Sequence, residues 1–355
     1  MGDRTLVTVS GTIAPTTRAD IDAGRRPRAD YYELAAAMGA DLLDYETAGR
    51  LTGPVGRMVG KLAGESALLA WVCWRNRRRY DTILTDGEQV GLPYALLCKL
   101  TPRRKLPNHV MIVHIMSVRA KVAMFTLLRL RSRIDRMLVY ATAQREFAIK
   151  KLGVDPRAVI LTPFMVDTAF FDPTQVQSND HRMICAAGLE FRDYDTLVEA
   201  VRGLDVDVVV AAASPWSKRA DQVSGRPIPE NVSVTKLNLF DLRQLYADCR
   251  FVVMPLHDVE FQAGITTILE AMAMAKPVVC TRTVGQNDAL IDGETGRYVP
   301  PADVAAMREA IVSLLDDQAL VAKMGAAARG WAVAEADIIV YARRIADIIA
   351  ALPPR

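Results

Sequence analysis

One stretch of the chain combines a strand, a glycine-containing loop and a helix start in a pattern that can bind an anion. The apolar run Phe251–Pro255 predicts a strand, and a helix is predicted to begin at Gly264–Thr267. The first N–H groups of a helix lack partners and the helix dipole favours negative charge, so this segment predicts a phosphate site. Glu270 lies one turn deeper on the same face, where its carboxylate can accept hydrogen bonds from sugar hydroxyls. The pattern favours a nucleotide diphosphate sugar as ligand, and an ordinary capped crossover helix is the alternative.

The predicted elements that position this stretch alternate between strand and helix along almost the whole chain. Apolar runs with strand character begin at Thr5–Ser10 and again at Met183–Ala187, and helical patterns separate the runs in each series. Two such series predict an α/β protein with two doubly wound parallel sheets. The polar stretch Phe171–Asp180 contains a proline and is predicted to separate the two domains. Ligands of such folds bind beyond the carboxyl ends of the strands, so we expect a site in the cleft between two facing sheets.

The composition is that of a globular protein with ample core. The chain has 355 residues, more than one core usually supports, so two domains are expected. Hydrophobic residues make up 51% and charged residues 24% of the sequence. The five cysteines are scattered and not at metal-ligand spacing, which predicts reduced core residues in a cytosolic protein. No signal-peptide pattern and no apolar run of spanning length occur, so a cytoplasmic location is expected.

Positive charge is concentrated in the first half of the chain. The net charge is +3, but residues 1–174 hold 26 Lys and Arg against 17 Asp and Glu, whereas the remainder holds 18 against 24. This asymmetry predicts an anionic partner for the first half, with a solvated basic face as the alternative. No recognised DNA- or RNA-binding motif occurs and no aromatic ladder lies among the arginines, so nucleic acid is not expected as a partner.

Four segments of the C-terminal half then make a resemblance specific. Glu270 is followed by Ala271–Ala273 and Pro277–Val279, and related segments lie at 160–173, 186–197 and 292–300. In this order they resemble the retaining GT-B glycosyltransferases of family 4, whose signature is Glu, seven residues, Glu, then Ala-Met-Ala and Pro-Val-Val. The resemblance covers residues from about 135 to 330. It implies two Rossmann-like domains facing a central cleft: an acceptor-binding domain at 1–172, a donor-binding domain at 180–330, and a C-terminal helix at 331–355 that packs back on the first domain.

The chain departs from that signature at its first acidic position. Counting back from Glu270 places Gln262 there, and glutamine keeps an acceptor oxygen but loses the negative charge. The resemblance implies that Gln262 holds the donor sugar and Glu270 the ribose. Glu260 or Asp258 taking over the acidic role is the alternative.

The resemblance also implies how the donor diphosphate is held. The basic pair of the family is reduced to Arg192, whose guanidinium can clamp two phosphate oxygens. Lys218 is a candidate second cation, and a merely solvated lysine is the alternative. The diphosphate-binding residues implied are Arg192, Lys218, Gly264, Ile265, Thr266 and Thr267.

Histidine and carboxylate patterns complete the implied site. His114 ends a predicted strand where the family often has a histidine facing the cleft, which implies a hydrogen bond to the donor sugar. A core-edge imidazole bonded to a backbone carbonyl is the alternative. The catalytic residues implied are therefore Gln262, Glu270 and His114. The Asp-x-Asp pattern at Asp205–Asp207 leads into a strand, so neither a metal nor a cofactor is expected, and the nucleotide diphosphate sugar is a substrate.

These observations and the resemblance predict a glycosyltransferase that moves a sugar from a nucleotide diphosphate sugar to an acceptor, and the resemblance implies retention. Two alternatives remain: a GT-B module that binds nucleotide sugars without turnover, which Gln262 keeps open, and a GT-B nucleotide-sugar epimerase. The acceptor is not identified by the sequence. The segment 118–134 places Val118, Val122, Phe125 and Leu128 near helical spacing among basic residues. A basic amphipathic helix can lie at the inner membrane face, in which case the acceptor would be a lipid or lipid-linked glycan. Burial of this stripe against the first sheet, with a soluble acceptor, is the alternative.

Overall fold

Short apolar strands separated by helices build two parallel sheets, one in each of two units. The computed structural model describes residues 4–179, 182–212 and 228–353. Unit 1 comprises Met1–Asp22, Arg28–Thr162 and Ile339–Arg355, and unit 2 comprises Ala23–Pro27 and Pro163–Ile338. Each unit has its own sheet and its own buried core.

Unit 1 alternates strands and helices along the chain. Its strands are β1 (Thr5–Thr8), β2 (Asp41–Leu43), β3 (Thr82–Thr85), β4 (Asn108–Ile112), β5 (Arg136–Val139) and β6 (Val159–Leu161). Its helices are α1 (Thr17–Asp22), α2 (Asp30–Met38), α3 (Tyr45–Leu51), α4 (Pro54–Ala63), α5 (Glu65–Asn76), α6 (Glu88–Cys98), α7 (Arg119–Leu127) and α8 (Thr142–Lys150). The parallel sheet has the order β2-β1-β3-β4-β5-β6, so its strand order reverses between β1 and β3.

Unit 2 repeats this architecture. Its strands are β7 (Met183–Ala187), β8 (Asp207–Ala211), β9 (Val232–Thr235), β10 (Val252–Met254), β11 (Val278–Thr281) and β12 (Gly296–Val299). Its helices are α9 (Tyr194–Val201), α10 (Leu239–Asp248), α11 (Ile265–Ala273), α12 (Val304–Leu315) and α13 (Gln318–Trp331), and the last helix of the chain is α14 (Ile338–Ala350). The parallel sheet has the order β12-β11-β10-β7-β8-β9, which reverses between β7 and β10.

Both faces of each sheet are covered, which explains why the strands read as continuous apolar runs. In β7, Cys185 packs in a cluster on one face and Ile184 in a cluster on the other, because successive side chains of a strand point in opposite directions. In unit 1, the consecutive β3 residues Ile83 and Leu84 point to opposite faces and both are fully buried. The five cysteines are buried and free, as their spacing predicted. The predicted fold class, α/β with two doubly wound parallel sheets, is confirmed.

The boundary between the units differs from the predicted one. The structure divides the chain at Thr162–Pro163, whereas the sequence ended the first domain at residue 172. Phe171 is buried in the unit 2 core, where its ring centroid lies 6.4 Å from that of Tyr246. Because polar residues follow Phe171, its burial in the unit 2 core could not be predicted from the local sequence. From Ile339 onward, α14 lies in unit 1, where the Tyr341 hydroxyl is 2.8 Å from that of Tyr140.

The predicted amphipathic segment 118–134 is also arranged differently from the membrane-contact interpretation. At the centre of α7, Phe125 is buried and Val122 packs against the same unit 1 cluster. Lys121 donates to the buried carboxylate of Glu88 at 2.5 Å and is not a solvated cation. The middle of the stripe therefore serves the core of its own unit. No helix in the described ranges has both the length and the apolarity needed to cross a membrane.

Candidate functional site

The switch in strand order of unit 2 brings two loops together at the carboxyl edge of its sheet. Strands β7 and β10 are neighbours, and open α/β sheets bind ligands in the crevice beyond such a pair. The loop after β7 contains Arg192, and the loop after β10 contains Gln262. The loops join through backbone contacts: the N–H of His257 donates to the carbonyl of Phe191 at 3.0 Å, and the N–H of Asp193 donates to Pro255 at 3.1 Å. The fold therefore places two distant sequence segments in one site.

Arg192 is built into the loop that carries it. Its side chain is buried, Nε donates to the carbonyl of Ala187 at 3.0 Å, and Nη1 donates to that of Glu190 at 2.7 Å. A Cβ at Gly188, where φ is +96°, would lie 2.4 Å from Nη2, so only glycine allows this guanidinium position. Burial lowers the pKa of Arg192 from its usual value, although arginine stays protonated at neutral pH. The result is a fixed positive charge beside the end of β7.

Helix α11 starts directly behind the second loop. Gly264 is its N-cap with φ +75°, and a Cβ there would lie 2.7 Å from Sδ of Met254 at the end of β10. Glycine has no side chain to cap the helix, so the first-turn N–H groups at Ile265, Thr266 and Thr267 stay free of a cap from that residue. Thr266 is exposed and Thr267 is buried. The predicted helix start is thus present, and its first-turn N–H groups and positive dipole end suit an anion.

Glu270 lies one turn into α11 and is buried. Its Oε2 accepts a hydrogen bond from the hydroxyl of Tyr246 at 3.0 Å. Burial raises the pKa of Glu270 to about 7, and the hydrogen bond from Tyr246 offsets only part of that effect. A ligand hydroxyl that donates to this carboxyl group stabilises its charged form, so Glu270 is suited to bind a hydroxylated ligand.

A second glutamine, Gln286, lies beside the loop that carries Gln262. The sequence analysis did not identify it as a site residue. The Oε1 atoms of both side chains are buried and lack a hydrogen-bond partner in the described part of the chain. Gln286 is fully buried and its Nε2 donates to the carbonyl of Ala263, next to Gln262, at 2.7 Å. The loops approach this closely because residue 285 is glycine: a Cβ there would lie 2.2 Å from the carbonyl oxygen of Phe261. Two amide oxygens are left available to a hydrogen-bond donor.

Gln286 can be recognised as a site residue only once the order of the strands in the sheet is known. It follows Gly285 just after β11, the strand next to β10, so its position at the same sheet edge follows from the strand order. The two acidic alternatives for the role of Gln262, Asp258 and Glu260, are both exposed on the second loop.

The remaining predicted site residues are His114 and Lys218. His114 belongs to unit 1, where its Nε2 is 3.1 Å from Oδ1 of Asp86 and its backbone N–H donates to Glu88. Burial would lower the pKa of His114, but the hydrogen bond and charge of Asp86 raise it above its ordinary value. The imidazole is thus paired with a carboxylate and not with a backbone carbonyl. Lys218 lies outside the described residues.

Carboxylate and histidine groups give no metal centre in the part of the chain that the structure covers. Within residues 4–179, 182–212 and 228–353, no group of three or more His, Cys, Asp and Glu side chains could hold a metal ion.

The chain is similar to known glycosyltransferases in both sequence and fold. Residues 181–317 match the family described as glycosyl transferases group 1. The chain is 22% identical over 341 residues to the capsular polysaccharide biosynthesis glycosyltransferase CapM of Staphylococcus aureus, covering 89% of this chain and 88% of CapM. It is 37% identical over 81 residues to the GDP-mannose-dependent alpha-(1-6)-phosphatidylinositol monomannoside mannosyltransferase of Mycolicibacterium smegmatis, covering 23% of this chain and 21% of that enzyme.

A solved structure extends the likeness over the whole fold. HepE of Anabaena, crystallised in complex with UDP-glucose, superposes with a TM-score of 0.70 at 15% identity, covering 99% of this chain and all of HepE. The two-unit architecture is therefore the GT-B fold. Taken with the family match and the relatives, it defines the protein as a glycosyltransferase.

Proposed function

We propose that this glycosyltransferase transfers the sugar of a nucleotide diphosphate sugar to a hydroxyl group of an acceptor, with retention of configuration and without a metal ion. The observation that carries the proposal is the crevice between β7 and β10, which combines a fixed guanidinium, an open helix N-terminus and a buried carboxyl group. These three groups match the chemistry of a diphosphate and a ribose. HepE was crystallised with UDP-glucose, and the mycolicibacterial relative is GDP-mannose-dependent, so the class of donor is supported while the base stays open.

The proposed roles follow the order of the groups along the crevice. When the bond between the anomeric carbon and the diphosphate breaks, the electron pair stays on the diphosphate. The N–H groups from Gly264 to Thr267 and the guanidinium of Arg192 then stabilise the negative charge that develops on the diphosphate. Nε and Nη1 of Arg192 donate to backbone carbonyls, so Nη2 is the atom proposed to contact the diphosphate. Glu270 accepts hydrogen bonds from the ribose hydroxyls. Because these groups neutralise the phosphate charge, the proposed reaction requires no divalent metal ion.

Gln262 and Gln286 are proposed to hold the donor sugar. Their unpartnered Oε1 atoms can each accept a hydrogen bond from a sugar hydroxyl. An amide has no net charge, so it stabilises developing positive charge at the anomeric carbon less than a carboxylate does. This absence of charge is the observation that favours the second candidate function, a module that binds nucleotide sugars without turnover.

The acceptor and the place of action belong to the same proposal. The basic excess of residues 1–174 fits an anionic acceptor, and a lipid or lipid-linked glycan at the cytoplasmic membrane face is proposed over a soluble one. His114 is proposed to contact the reacting sugar from unit 1.

The test is incubation with a panel of nucleotide diphosphate sugars and candidate acceptors, with products detected by mass spectrometry. Transfer to an acceptor supports the proposal, and the anomeric configuration of the product, read by NMR, tests retention. Release of an isomerised nucleotide sugar identifies an epimerase instead. Nucleotide-sugar binding without any product over the full panel identifies the silent module.

A further inference from the structure

The second helix after β2 exposes its most apolar side to solvent. Helix α4 carries Val55, Met58 and Leu62, which are 52%, 56% and 80% exposed. Their spacing of three and four residues places them on one side of the helix, and these three residues are called the α4 stripe. An amphipathic helix of a globular protein normally turns such a stripe towards the core. Here the stripe faces away from it.

The packing of α4 on α5 explains the orientation. Gly56 and Gly60 lie one turn apart and form the side that meets α5. A Cβ at Gly56 would lie 2.9 Å from Cδ1 of Trp71, and one at Gly60 would lie 3.3 Å from Cδ2 of Leu68. Small residues let the two helices approach closely, and at 100° per residue the α4 stripe then points to the opposite side.

Basic residues lie beside the α4 stripe. No Asp or Glu occurs between Thr47 and Gly64. Arg57 and Lys61 are exposed on α4 itself. Nη1 of Arg75 lies 3.7 Å from the position a Cβ would take at Gly53, immediately before the helix. An exposed apolar stripe with basic flanks has the two properties that bind a helix to an anionic lipid surface.

We propose that unit 1 docks on anionic membranes through the α4 stripe, with Val55, Met58 and Leu62 inserted between the headgroups and Arg57 and Lys61 against the lipid phosphates. A second copy of the chain fits this face less well, because two like-charged patches would meet. The proposal concerns binding to the membrane and stands independently of the donor chemistry.

The test is co-sedimentation of the full chain with vesicles of phosphatidylglycerol and phosphatidylcholine, compared with phosphatidylcholine alone, at low and high salt. We expect binding to the anionic vesicles that weakens at high salt. Leu62→Glu is expected to reduce this binding at least about tenfold, since it places a negative charge in the apolar stripe. Leu127→Glu is the matched control, because Leu127 is 79% exposed but lies at the end of α7, and its binding is expected to stay within about twofold of wild type.

Three outcomes overturn the proposal. The first is that Leu62→Glu binds anionic vesicles as the wild type does, or that Leu127→Glu loses binding equally. The second is equal binding to neutral and anionic vesicles. The third is the absence of vesicle binding together with a concentration-dependent dimer that Leu62→Glu dissociates in analytical ultracentrifugation, which would assign the α4 stripe to a second copy. These experiments measure binding and association, not sugar transfer. Their outcome therefore does not depend on whether the proposed glycosyltransferase activity is correct.

Discussion

At the carboxyl edges of the two sheets, polar side chains differ in whether they have partners. In unit 1, His114 is paired with Asp86, and Lys121 is paired with the buried Glu88. In unit 2, the buried Oε1 atoms of Gln262 and Gln286 have no hydrogen-bond partner among the described residues, and burial raises the pKa of Glu270 to about 7. A buried acceptor left unsatisfied costs about 1–3 kcal/mol, and a ligand that donates to it recovers that cost. The unit 2 edge is therefore preorganised for a ligand, whereas in unit 1 the Lys121–Glu88 pair stabilises its own loop.

The strongest way to break this comparison is to remove the carboxyl group of Glu270. Glu270→Ala is expected to lower turnover by at least about a hundredfold, the scale of one lost charge-stabilising contact. Tyr246→Phe removes only the hydrogen bond to Glu270 and serves as the control, with a much smaller loss. Wild-type rates in a folded Glu270→Ala variant would remove this residue from the site.

The second test concerns the fixed cation of unit 2. Arg192→Ala is expected to reduce turnover by at least about a hundredfold as well, because the charge facing the leaving diphosphate is lost. Arg192→Lys keeps the charge but not the two carbonyl contacts, so comparison of the two variants in steady-state assays separates charge from loop geometry. If Arg192→Ala is folded by circular dichroism and equally active, the diphosphate is held elsewhere.

The raised pKa of Glu270 makes stability depend on pH in a defined window. The unfolded carboxyl group releases its proton near its usual value of 4.5, whereas the folded one keeps it until about 7. The folded state therefore binds more protons between these values, and the free energy of unfolding falls as pH rises through them. Relative to Glu270→Gln, the wild type should lose about 2 kcal/mol between pH 5 and pH 8 in denaturant titrations. A pH-independent difference between the two proteins would show that burial does not perturb this group.

The paired groups of unit 1 should respond in stability and not in donor binding. Lys121→Met leaves the carboxylate of Glu88 buried without its cation, and we expect a loss of about 2 kcal/mol in the free energy of unfolding. Nucleotide diphosphate affinity, measured by calorimetry, should stay within about twofold of wild type because the donor groups lie in unit 2. A large loss of affinity in this variant would contradict the division of roles between the units.

The smallest expected effect is at the amide pair. Gln262→Glu should change donor-sugar preference or rate while nucleotide diphosphate affinity stays within about threefold, since the charge is added at the sugar and not at the phosphates. Gln286→Glu is the companion variant and should shift the same preference. Equal loss of nucleotide affinity in Gln262→Glu would place residue 262 against the phosphates.

The sequence predicted the elements of unit 2 more completely than their contacts. Strand alternation and the spacing from Gly264 to Glu270 are local, so the strand, loop and helix could be predicted from neighbouring residues. The approach of Gln286 to the Gln262 loop depends on Gly285 fitting against Phe261, which is a contact between loops and leaves no local pattern. The hydrogen bond from Arg192 to the carbonyl of Ala187 could likewise not be predicted from a local pattern.

Amphipathic patterns were less informative because they do not say which side faces the core. For segment 118–134, the sequence left open whether the apolar stripe contacts a membrane or packs against the first sheet, and Phe125 is buried. Helix α4 has a comparable pattern and exposes Leu62, since glycines on its other side determine how it packs. The side that packs was decided by the helix partner and not by hydrophobicity.

The central claim is that the crevice between β7 and β10 binds the nucleotide diphosphate of the donor, and a crystal structure with UDP or GDP tests it most directly. We expect phosphate oxygens at the N–H groups of Gly264 to Thr267 and near Nη2 of Arg192, with ribose hydroxyls within hydrogen-bond distance of Glu270. A nucleotide bound with its phosphates away from the start of α11, or with its ribose away from Glu270, would contradict it.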